Sequence, residues 1–347
     1  MRNANRQRHR SKLPAFLGLG PEKTASGWLY GALAKHPRLY LTPVKEIRYF
    51  YERCVYPNER LVDRLSCTGD WHSAEYRSYL VERLNSLRSR PWTLLTDWRR
   101  TAWDARFILG HRTDKWYASL FDDAKAGSLS CDIDPLYFSV PPDEVPRIRA
   151  LLPESKALIV LREPVSWLWS FARMSLLRSR TIEDVSHEEF ESFFNEYVEY
   201  YPSTERLSPW IGAFGGDLRI SFYDDILLDP LAFVDGICEF LSLERLSVVR
   251  PDADVTLRVN RGAAIDLPPR IRTYLEKITF GITVDIAAEF GGAASCWLAA
   301  RENPQQIVPC DPAPKNCTSP YPVPNVANCP RPRGLSHRKE RHYPCTT

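Results

Sequence analysis

The sequence contains no run of about 18 or more apolar residues, the length that an α-helix needs to cross a bilayer, so we predict no transmembrane helix. Residues 1–12 are basic but lack the apolar stretch of a secretory signal. No two cysteines form a Cys-x-x-Cys pair, and no set of Cys and His residues has the spacing of a zinc site. These absences favour a cytoplasmic protein with reduced, unpaired thiols and no bound metal.

An excess of positive charge is also missing from the main part of the chain. The whole chain carries 46 Lys and Arg against 43 Asp and Glu, but the two ends hold much of the basic charge. Residues 1–12 contain five basic side chains and no acid, and residues 302–347 contain six against three. Residues 13–301 therefore carry 35 basic and 40 acidic side chains, a net charge of −5. We expect no nucleic-acid partner, because domains that bind nucleic acids are usually basic.

The C-terminal segment differs in composition from the rest of the chain. Residues 302–347 contain ten Pro and four Cys and show no apolar periodicity. Such a segment buries too little surface to offset the entropy cost of ordering it. We therefore predict a basic N-terminal arm over 1–12, one folded domain over 13–301 and a disordered Pro- and Cys-rich tail over 302–347.

Short apolar segments alternate with helix-like segments in residues 13–301. Strands are predicted at 15–19, 39–41, 157–161 and 218–223. The continuous apolar run at 157–161 is typical of a strand that is buried on both faces. This alternation predicts an α/β fold with a central, mostly parallel β-sheet flanked by helices.

Three helical patterns lie between or after these strands. The side chains of Tyr79, Leu80 and Leu84 recur at helical spacing, and Asp229 followed by Pro230 is typical of a helix start. Residues 91–121 are rich in aromatic side chains, which suit either an acceptor-binding wall or core packing. The helical spacing of the last aromatic residues in that segment favours the core.

A candidate anion-binding loop follows the first strand. Lys23 offers a positive charge, Thr24 and Ser26 offer hydroxyls, and the helix that follows presents unpaired N–H groups at its start. The loop lacks the Gly-x-x-x-x-Gly-Lys-Ser/Thr pattern of a Walker A motif. The alternative is an ordinary turn between strand and helix with a solvated lysine.

A second candidate lies at the end of the strand at 157–161. Arg162 follows this strand directly, at the edge where open α/β sheets bind ligands, and Ser170 lies in the next helix. The guanidinium group offers a planar fork for a phosphate. The alternative is a surface ion pair between Arg162 and Glu163.

Together the two segments resemble the donor-binding elements of the sulfotransferase family, in particular its heparan-sulfate and carbohydrate branch. Residues 21–29 are similar to the family loop Pro-Lys-Ser/Thr-Gly-Thr-Thr-Trp-Leu with one residue inserted after Pro21. Arg162 and Ser170 have the family's eight-residue spacing between an Arg and a Ser that bind the 3′-phosphate. The resemblance implies a single P-loop-NTPase-like domain that uses 3′-phosphoadenylyl sulfate (PAPS) as donor, releases adenosine 3′,5′-bisphosphate (PAP) and needs no metal.

Three further segments resemble this branch. Residues 43–50 are similar to its Lys-Glu-x-x-Phe/Tyr-Phe motif, residues 132–138 to its Ser/Thr-Pro-x-Tyr segment, and residues 259–262 to a late loop that closes over the donor. The resemblance implies Glu46 as catalytic base and Lys23 as stabiliser of the leaving group. It implies donor binding by Lys23, Thr24, Ala25, Ser26, Gly27, Trp28, Arg162, Ser170, Asn260, Arg261 and Gly262, and acceptor binding by Lys45, Asp134 and Tyr137.

The loop departs from the family pattern at Ala25, Ser26 and Gly27, where Gly-Thr-Thr is usual. This departure supports a second hypothesis, a catalytically silent module of the same fold that binds a nucleotide or a glycan. A third hypothesis is a phosphotransferase resembling a nucleotide kinase, which would need Mg²⁺. Under the main hypothesis the acceptor is a hydroxyl or amine of a carbohydrate or a small molecule.

Overall fold

The central feature of the computed structural model is a five-stranded parallel β-sheet within the described residues, which are 13–55, 74–90, 92, 96–256 and 265–302. The strand order is β2-β3-β1-β4-β5, and every neighbouring pair is parallel. The strands are β1 (Phe16–Gly20), β2 (Leu39–Leu41), β3 (Leu129–Ile133), β4 (Lys156–Leu161) and β5 (Leu218–Phe222). The predicted α/β fold with a parallel sheet is therefore confirmed.

Helices connect the strands and cover both faces of the sheet. In chain order they are α1 (Ser26–Leu33), α2 (Tyr49–Val55), α3 (Ala74–Ser89), α4 (Trp98–Leu109), α5 (Asp114–Ser119), α6 (Val145–Leu151), α7 (Pro164–Ser175), α8 (His187–Tyr197), α9 (Thr204–Phe214), α10 (Tyr223–Leu228), α11 (Pro230–Phe240), α12 (Leu246–Val249), α13 (Pro269–Phe290) and α14 (Ala293–Glu302). A short 3-10 helix over Pro135–Ser139 follows β3 directly.

The sheet separates two hydrophobic cores. On β4, Ala157, Ile159 and Leu161 pack into one core, while Leu158 and Val160 pack into the other. Successive side chains of a strand point to opposite faces, so a strand buried on both faces has to be apolar throughout. The prediction of a doubly buried strand at this position is confirmed.

The predicted helix start at Asp229 is also confirmed. Its carboxylate accepts a hydrogen bond of 2.9 Å from the backbone N–H of Ala232, and Pro230 occupies the first helical position of α11. The aromatic segment packs mainly in the core, as predicted, with Trp116 and Tyr117 buried. Helix α3 forms as predicted, although 59% of the Leu84 side chain is exposed.

Two elements were not predicted, because buried polar side chains interrupt the apolar pattern of their sequences. Strand β3 contains the buried side chain of Asp132, which interrupts the apolar pattern. In α13, Thr279 and Thr283 face the core and donate their hydroxyls to the carbonyl oxygens of Leu275 and Thr279, at 2.7 and 3.0 Å. Buried hydroxyls that bond within their own helix look like surface positions in a sequence pattern.

The cysteines follow the prediction only in part. Cys54, Cys131 and Cys238 are free thiols, as expected, but Cys296 is disulfide-bonded, so the prediction is wrong there. Spacing along a sequence does not reveal which cysteines meet in space. Among the described residues, no helix is long and apolar enough to cross a membrane.

Candidate functional site

The two candidate anion-binding segments meet at the carboxyl edge of the sheet. Strands β1 and β4 are neighbours, and the loop after β1 and Arg162 after β4 therefore lie side by side. Arg162 Nη1 donates a hydrogen bond of 3.0 Å to the carbonyl oxygen of Lys23, across 139 residues of sequence. Carboxyl edges of this kind are where open α/β sheets bind ligands.

The loop after β1 has a concave backbone. Lys23 and Ala25 both adopt left-handed conformations, with φ of 66° and 67°. Within the described chain, the N–H groups of residues 24–28 donate to no protein acceptor. A loop of this shape turns successive N–H groups towards one side, where they can bind an anion.

The hydroxyl of Thr24 has a different role from the one predicted. It donates a hydrogen bond of 2.6 Å to the carbonyl oxygen of Pro21, and the side chain is buried. This hydroxyl therefore closes the loop, which leaves the backbone N–H of Thr24 and the partly exposed Ser26 as the groups available to a ligand.

Arg162 is held in place by its surroundings and not by Glu163. Its guanidinium group lies over the ring of Tyr223, 4.6 Å from the centroid, and its Nε is buried without a partner. Glu163 instead accepts a hydrogen bond of 2.9 Å from Arg301 and also caps α7. The surface-pair alternative for Arg162 is therefore wrong, and its Nε is left buried without a hydrogen-bond partner.

Helix α7 runs beside the loop and adds Ser170 to this site. Trp167 Nε1 donates a hydrogen bond of 2.8 Å to the carbonyl oxygen of Glu22, and Met174 Sδ lies 3.6 Å from Lys23 Nζ. Ser170 lies between these two contacts on the same side of the helix and is 6% exposed. The helix therefore places this hydroxyl on the same side as the loop and Arg162.

Burial governs the electrostatics of Lys23. Desolvation lowers the pKa of its ammonium group, the nearby Glu22 raises it, and the positive charges of Arg162 and Arg173 lower it further. Three cations at one edge of the sheet disfavour each other's charge unless an anion lies between them.

Glu46 lies at the end of the neighbouring strand. Its backbone N–H donates a hydrogen bond of 3.3 Å to the carbonyl oxygen of Ile133, the last residue of β3, and its φ of 64° is left-handed. Lys45 Nζ contacts one carboxylate oxygen, and Arg48 Nη2 lies 3.3 Å from the other. Since β3 pairs with β1, Glu46 lies at the same edge of the sheet as the loop after β1.

Asp134 fixes the turn that carries Glu46. Its side chain is fully buried and accepts hydrogen bonds from the N–H groups of Arg48, at 2.5 Å, and Leu136, at 3.1 Å. Burial, together with the charges of Glu46 and Asp132, raises the pKa of Asp134 well above its usual value. The Asp134 carboxylate therefore positions the turn and is not presented to a ligand.

The Tyr137 hydroxyl is also engaged with the protein. Tyr137 and Tyr117 both donate to Asp132 Oδ2, at 2.9 and 2.8 Å, and all three side chains are buried. Burial raises the pKa of Asp132 to about 6, although both hydrogen bonds act to lower it. Asp132, Tyr117 and Tyr137 therefore form a buried polar network behind the Glu46 turn.

Gly20 joins the loop after β1 closely to the segment after β3. Its φ is 97°, and a Cβ at this position would lie 2.4 Å from the carbonyl oxygen of Pro135. Only glycine combines that backbone conformation with such a close approach. The two sides of the site are thereby held in direct contact.

Of the other residues that were predicted to bind the donor, the structure describes only Gly27 and Trp28. Gly27 is exposed at the start of α1, and Trp28 Nε1 donates a hydrogen bond of 2.9 Å to the carbonyl oxygen of Val255. Asn260, Arg261 and Gly262 lie outside the described residues. The described chain on either side of them is hydrogen-bonded to α1 and α7, since Trp28 belongs to α1 and Trp169 of α7 donates to the carbonyl oxygen of Ile265 at 3.1 Å.

Sequence reasoning missed several groups at this site. Tyr223 stacks on Arg162, Tyr201 donates a hydrogen bond of 2.7 Å to the carbonyl oxygen of Arg162, and Arg173 adds a third cation. Only Arg173 had a signal in the sequence, because it lies three residues after Ser170 and so on a neighbouring side of the same helix. The two tyrosines come from distant segments and carry no such signal.

The arrangement is suited to an anion with two charged groups. The backbone N–H groups of the loop and Lys23 lie beside Arg162, whose Nε is buried without a partner, and Ser170 lies on the adjacent side of α7. Among the described residues, no group of three or more His, Cys, Asp or Glu side chains could hold a metal ion.

The fold is similar to that of a sulfotransferase of known structure. The structure is similar to the crystal structure of a sulfotransferase from Alicyclobacillus acidocaldarius, with a TM-score of 0.55 and 19% sequence identity over 82% of this chain and 98% of that one. It is also similar to the sulfotransferase domain of the Synechococcus PCC 7002 olefin synthase, with a TM-score of 0.48 and 20% identity over 78% of this chain and 96% of that one.

Comparison by sequence alone gives no corresponding match. No protein-family profile matches the chain, and no curated protein does. At the level of the fold, the resemblance found in the sequence motifs is confirmed by the first of the two structures.

Proposed function

We propose that this protein is a sulfotransferase that moves the sulfuryl group of PAPS to a hydroxyl or amine of an acceptor and releases PAP. The observation that carries the proposal is the hydrogen bond between Arg162 and the Lys23 carbonyl. It brings two segments, each of which suits one anion, into a single site at the carboxyl edge of the sheet.

The donor is held at both ends of its ribose. The backbone N–H groups of Thr24, Ala25, Ser26 and Gly27, with Lys23, bind the 5′-phosphosulfate, and Trp28 fixes the start of α1. Arg162 and Ser170 bind the 3′-phosphate, for which Arg162 has an unpartnered Nε. Asn260, Arg261 and Gly262 remain proposed donor-binding residues on the basis of the sequence resemblance.

The reaction is an in-line displacement at sulfur, analogous to phosphoryl transfer. The acceptor atom loses its proton to Glu46 and forms the new bond to sulfur, while the bond from sulfur to the bridging oxygen of the donor breaks. The electron pair leaves with that oxygen, whose negative charge is stabilised by Lys23 and the loop N–H groups. Lys45 and Arg48 both contact the Glu46 carboxylate, so acceptor binding has to free one of its oxygens.

The acceptor binds in the region around Glu46. We propose a carbohydrate or small-molecule acceptor near Lys45, with Asp134 and Tyr137 shaping the wall behind it from within the core. We also propose a cytoplasmic location, on the sequence expectations given above, and no dependence on a metal.

The contacts of the Glu46 carboxylate with two cations support one alternative. This alternative is a catalytically silent module that binds the nucleotide or a glycan without turnover. Both oxygens of the proposed base are in contact with cations, and Ala25 is in a conformation that favours glycine. Such a module binds the donor and forms no product.

Mass spectrometry of a panel of acceptors incubated with ³⁵S-labelled PAPS tests the proposal. We expect at least one acceptor to gain a labelled sulfuryl group in the presence of a chelator. Glu46→Gln should slow the transfer by about 100-fold or more, in line with general-base catalysis. The matched control is Glu154→Gln, because Glu154 is exposed, and it should have wild-type activity.

Two results would contradict this proposal. Binding of PAP without transfer to any acceptor favours the silent module. Turnover of ATP with Mg²⁺, without use of PAPS, favours the kinase-like hypothesis.

A further inference from the structure

We propose that Arg173 is a further recognition residue of the donor site, which binds the second phosphate together with Arg162 and Ser170 and makes the site selective for nucleotides phosphorylated at both ends of the ribose. The proposal rests on the function proposed above. It assigns a role to a side chain that none of the sequence motifs includes.

The helix geometry places Arg173 beside Ser170. Trp167 and Met174, both in contact with the loop, are separated by seven residues and so lie about 20° apart around the helix axis. Arg173 follows Ser170 by three residues and therefore lies about 60° from it, and about 100–120° from Met174 and Trp167. An arginine has enough reach to bring its guanidinium group from that position to a ligand held by Ser170.

The guanidinium group of Arg173 has no partner in the described chain. Its Nε is buried without a hydrogen bond, and no carboxylate forms an ion pair with it among the described residues. Arg180, which lies beyond the end of α7 at Ser175, is by contrast paired with both carboxylate oxygens of Glu189. An unpaired, partly buried charge is costly, and an anionic ligand would compensate it.

The charges of the side chains near Arg173 also favour an anionic ligand. The positive charge of Arg173 is close enough to Lys23 and to Arg162 to lower the pKa of both side chains. Glu22 is the acidic group that acts against this on Lys23. A cluster of three cations is suited to a ligand that has several negative charges.

The chemistry of the ligand follows from this charge. A ribose phosphate monoester carries close to two negative charges at neutral pH, and an arginine fork can bind it through two oxygens. A nucleotide with a 5′-phosphate alone would leave Arg173 unpaired. The site should therefore favour adenosine 3′,5′-bisphosphate over adenosine 5′-monophosphate.

Calorimetric titration with these two nucleotides tests the role of Arg173. In Arg173→Gln we expect the Kd for adenosine 3′,5′-bisphosphate to rise by about 10- to 100-fold, the usual effect of losing a charge-assisted hydrogen bond. The Kd for adenosine 5′-monophosphate should change by less than about threefold. Arg173→Lys should have an intermediate effect, because it keeps the charge but not the planar fork.

Arg178→Gln is the matched control, since Arg178 is exposed just beyond α7. It should leave both Kd values unchanged. Thermal unfolding without ligand shows that each variant is folded, and Arg173→Lys covers the case in which Arg173→Gln does not fold.

The outcomes separate this inference from the proposed function. Wild-type protein that binds adenosine 3′,5′-bisphosphate, with equal losses for both nucleotides or no loss in the Arg173 variants, overturns the role of Arg173 alone. Folded wild-type protein that binds neither nucleotide overturns the donor site and this inference together.

Discussion

At the scale of single residues, the donor loop depends on backbone conformations that most side chains avoid. Ala25 precedes α1 with φ of 67° and ψ of 26°, and no side chain caps the helix at this position. A left-handed conformation costs an L-residue about 1–2 kcal/mol. We infer that the conformation is retained because it points the N–H groups of the loop towards the donor.

Ala25→Gly should relieve this strain. We expect the free energy of unfolding to rise by up to about 1 kcal/mol, since the strain removed exceeds the extra entropy of glycine in the unfolded chain. Binding of adenosine 3′,5′-bisphosphate should be equal to or tighter than wild type. Urea unfolding and calorimetry measure the two effects.

Ala34→Gly is the control for that substitution. Ala34 ends α1 in a right-handed conformation, with φ of −61°, so glycine there brings no relief. It should lower the free energy of unfolding by about 0.5–1 kcal/mol. If both substitutions destabilise equally, Ala25 is not strained in the folded protein.

The lowered pKa of Lys23 has a consequence for the pH dependence of donor binding. Burial lowers this pKa, and Arg162 and Arg173 lower it further, so the ammonium group loses its proton at a lower pH than an ordinary lysine. Donor affinity should therefore fall as the pH rises towards the usual lysine value, and the fall should begin at a lower pH than for an ordinary lysine. Titrations with adenosine 3′,5′-bisphosphate across this range measure the decline.

Lys23→Arg provides the comparison, because an arginine keeps its charge throughout that range. Its pH profile should be flat, whatever its affinity at neutral pH. A wild-type profile that is equally flat would show that Lys23 does not titrate with the donor site.

At the scale of the elements, the segment that follows β3 determines where Glu46 lies. Asp134 ties the turn of residues 46–48 to this strand, and Asp132 ties the strand to Tyr117 and Tyr137. A buried network in which every member has a partner can specify one conformation. We infer that its role is to keep the Glu46 turn in place.

The buried carboxyl of Asp132 should make the stability of the protein depend on pH. Its pKa is about 6 in the folded chain against an ordinary 3.8, so the folded chain keeps a proton that the unfolded chain has already lost. The resulting stabilisation is fully present below about pH 4 and is lost as the pH rises through 6. It amounts to about 3 kcal/mol.

Asp132→Asn should remove this part of the pH dependence. We expect the free energy of unfolding, measured in urea between about pH 4 and 7, to fall less steeply with rising pH than in the wild type. Asp143→Asn is the control, because Asp143 is exposed, and it should keep the wild-type slope. An unchanged slope in Asp132→Asn would mean that Asp132 ionises normally in the folded protein.

Much of this element structure could be predicted from the sequence. Strand β4 is apolar at every position because both of its faces are buried, and the start of α11 follows from Asp229 and Pro230. Strand β3 and helix α13 could not be predicted, since their buried polar side chains have partners that only the folded chain supplies. Asp132 and Thr279 are the clearest examples.

At the scale of the whole molecule, the strand order creates the site. Strands β1 and β4 are separated by more than 130 residues but are neighbours in the sheet, so the loop and Arg162 meet. The sequence motifs could indicate the two segments that meet at this edge of the sheet, because each motif is local. They could not predict that the Thr24 hydroxyl closes the loop, that Tyr223 stacks on Arg162, or that Glu46 contacts two cations.

The most direct test of the account is calorimetric titration of the folded wild-type protein with adenosine 3′,5′-bisphosphate, beside Lys23→Ala and Arg162→Ala. The account predicts one bound nucleotide per chain, with affinity reduced by about tenfold or more in each variant. No uptake by the folded wild-type chain, or uptake that neither variant weakens, would contradict a donor site built from these two segments.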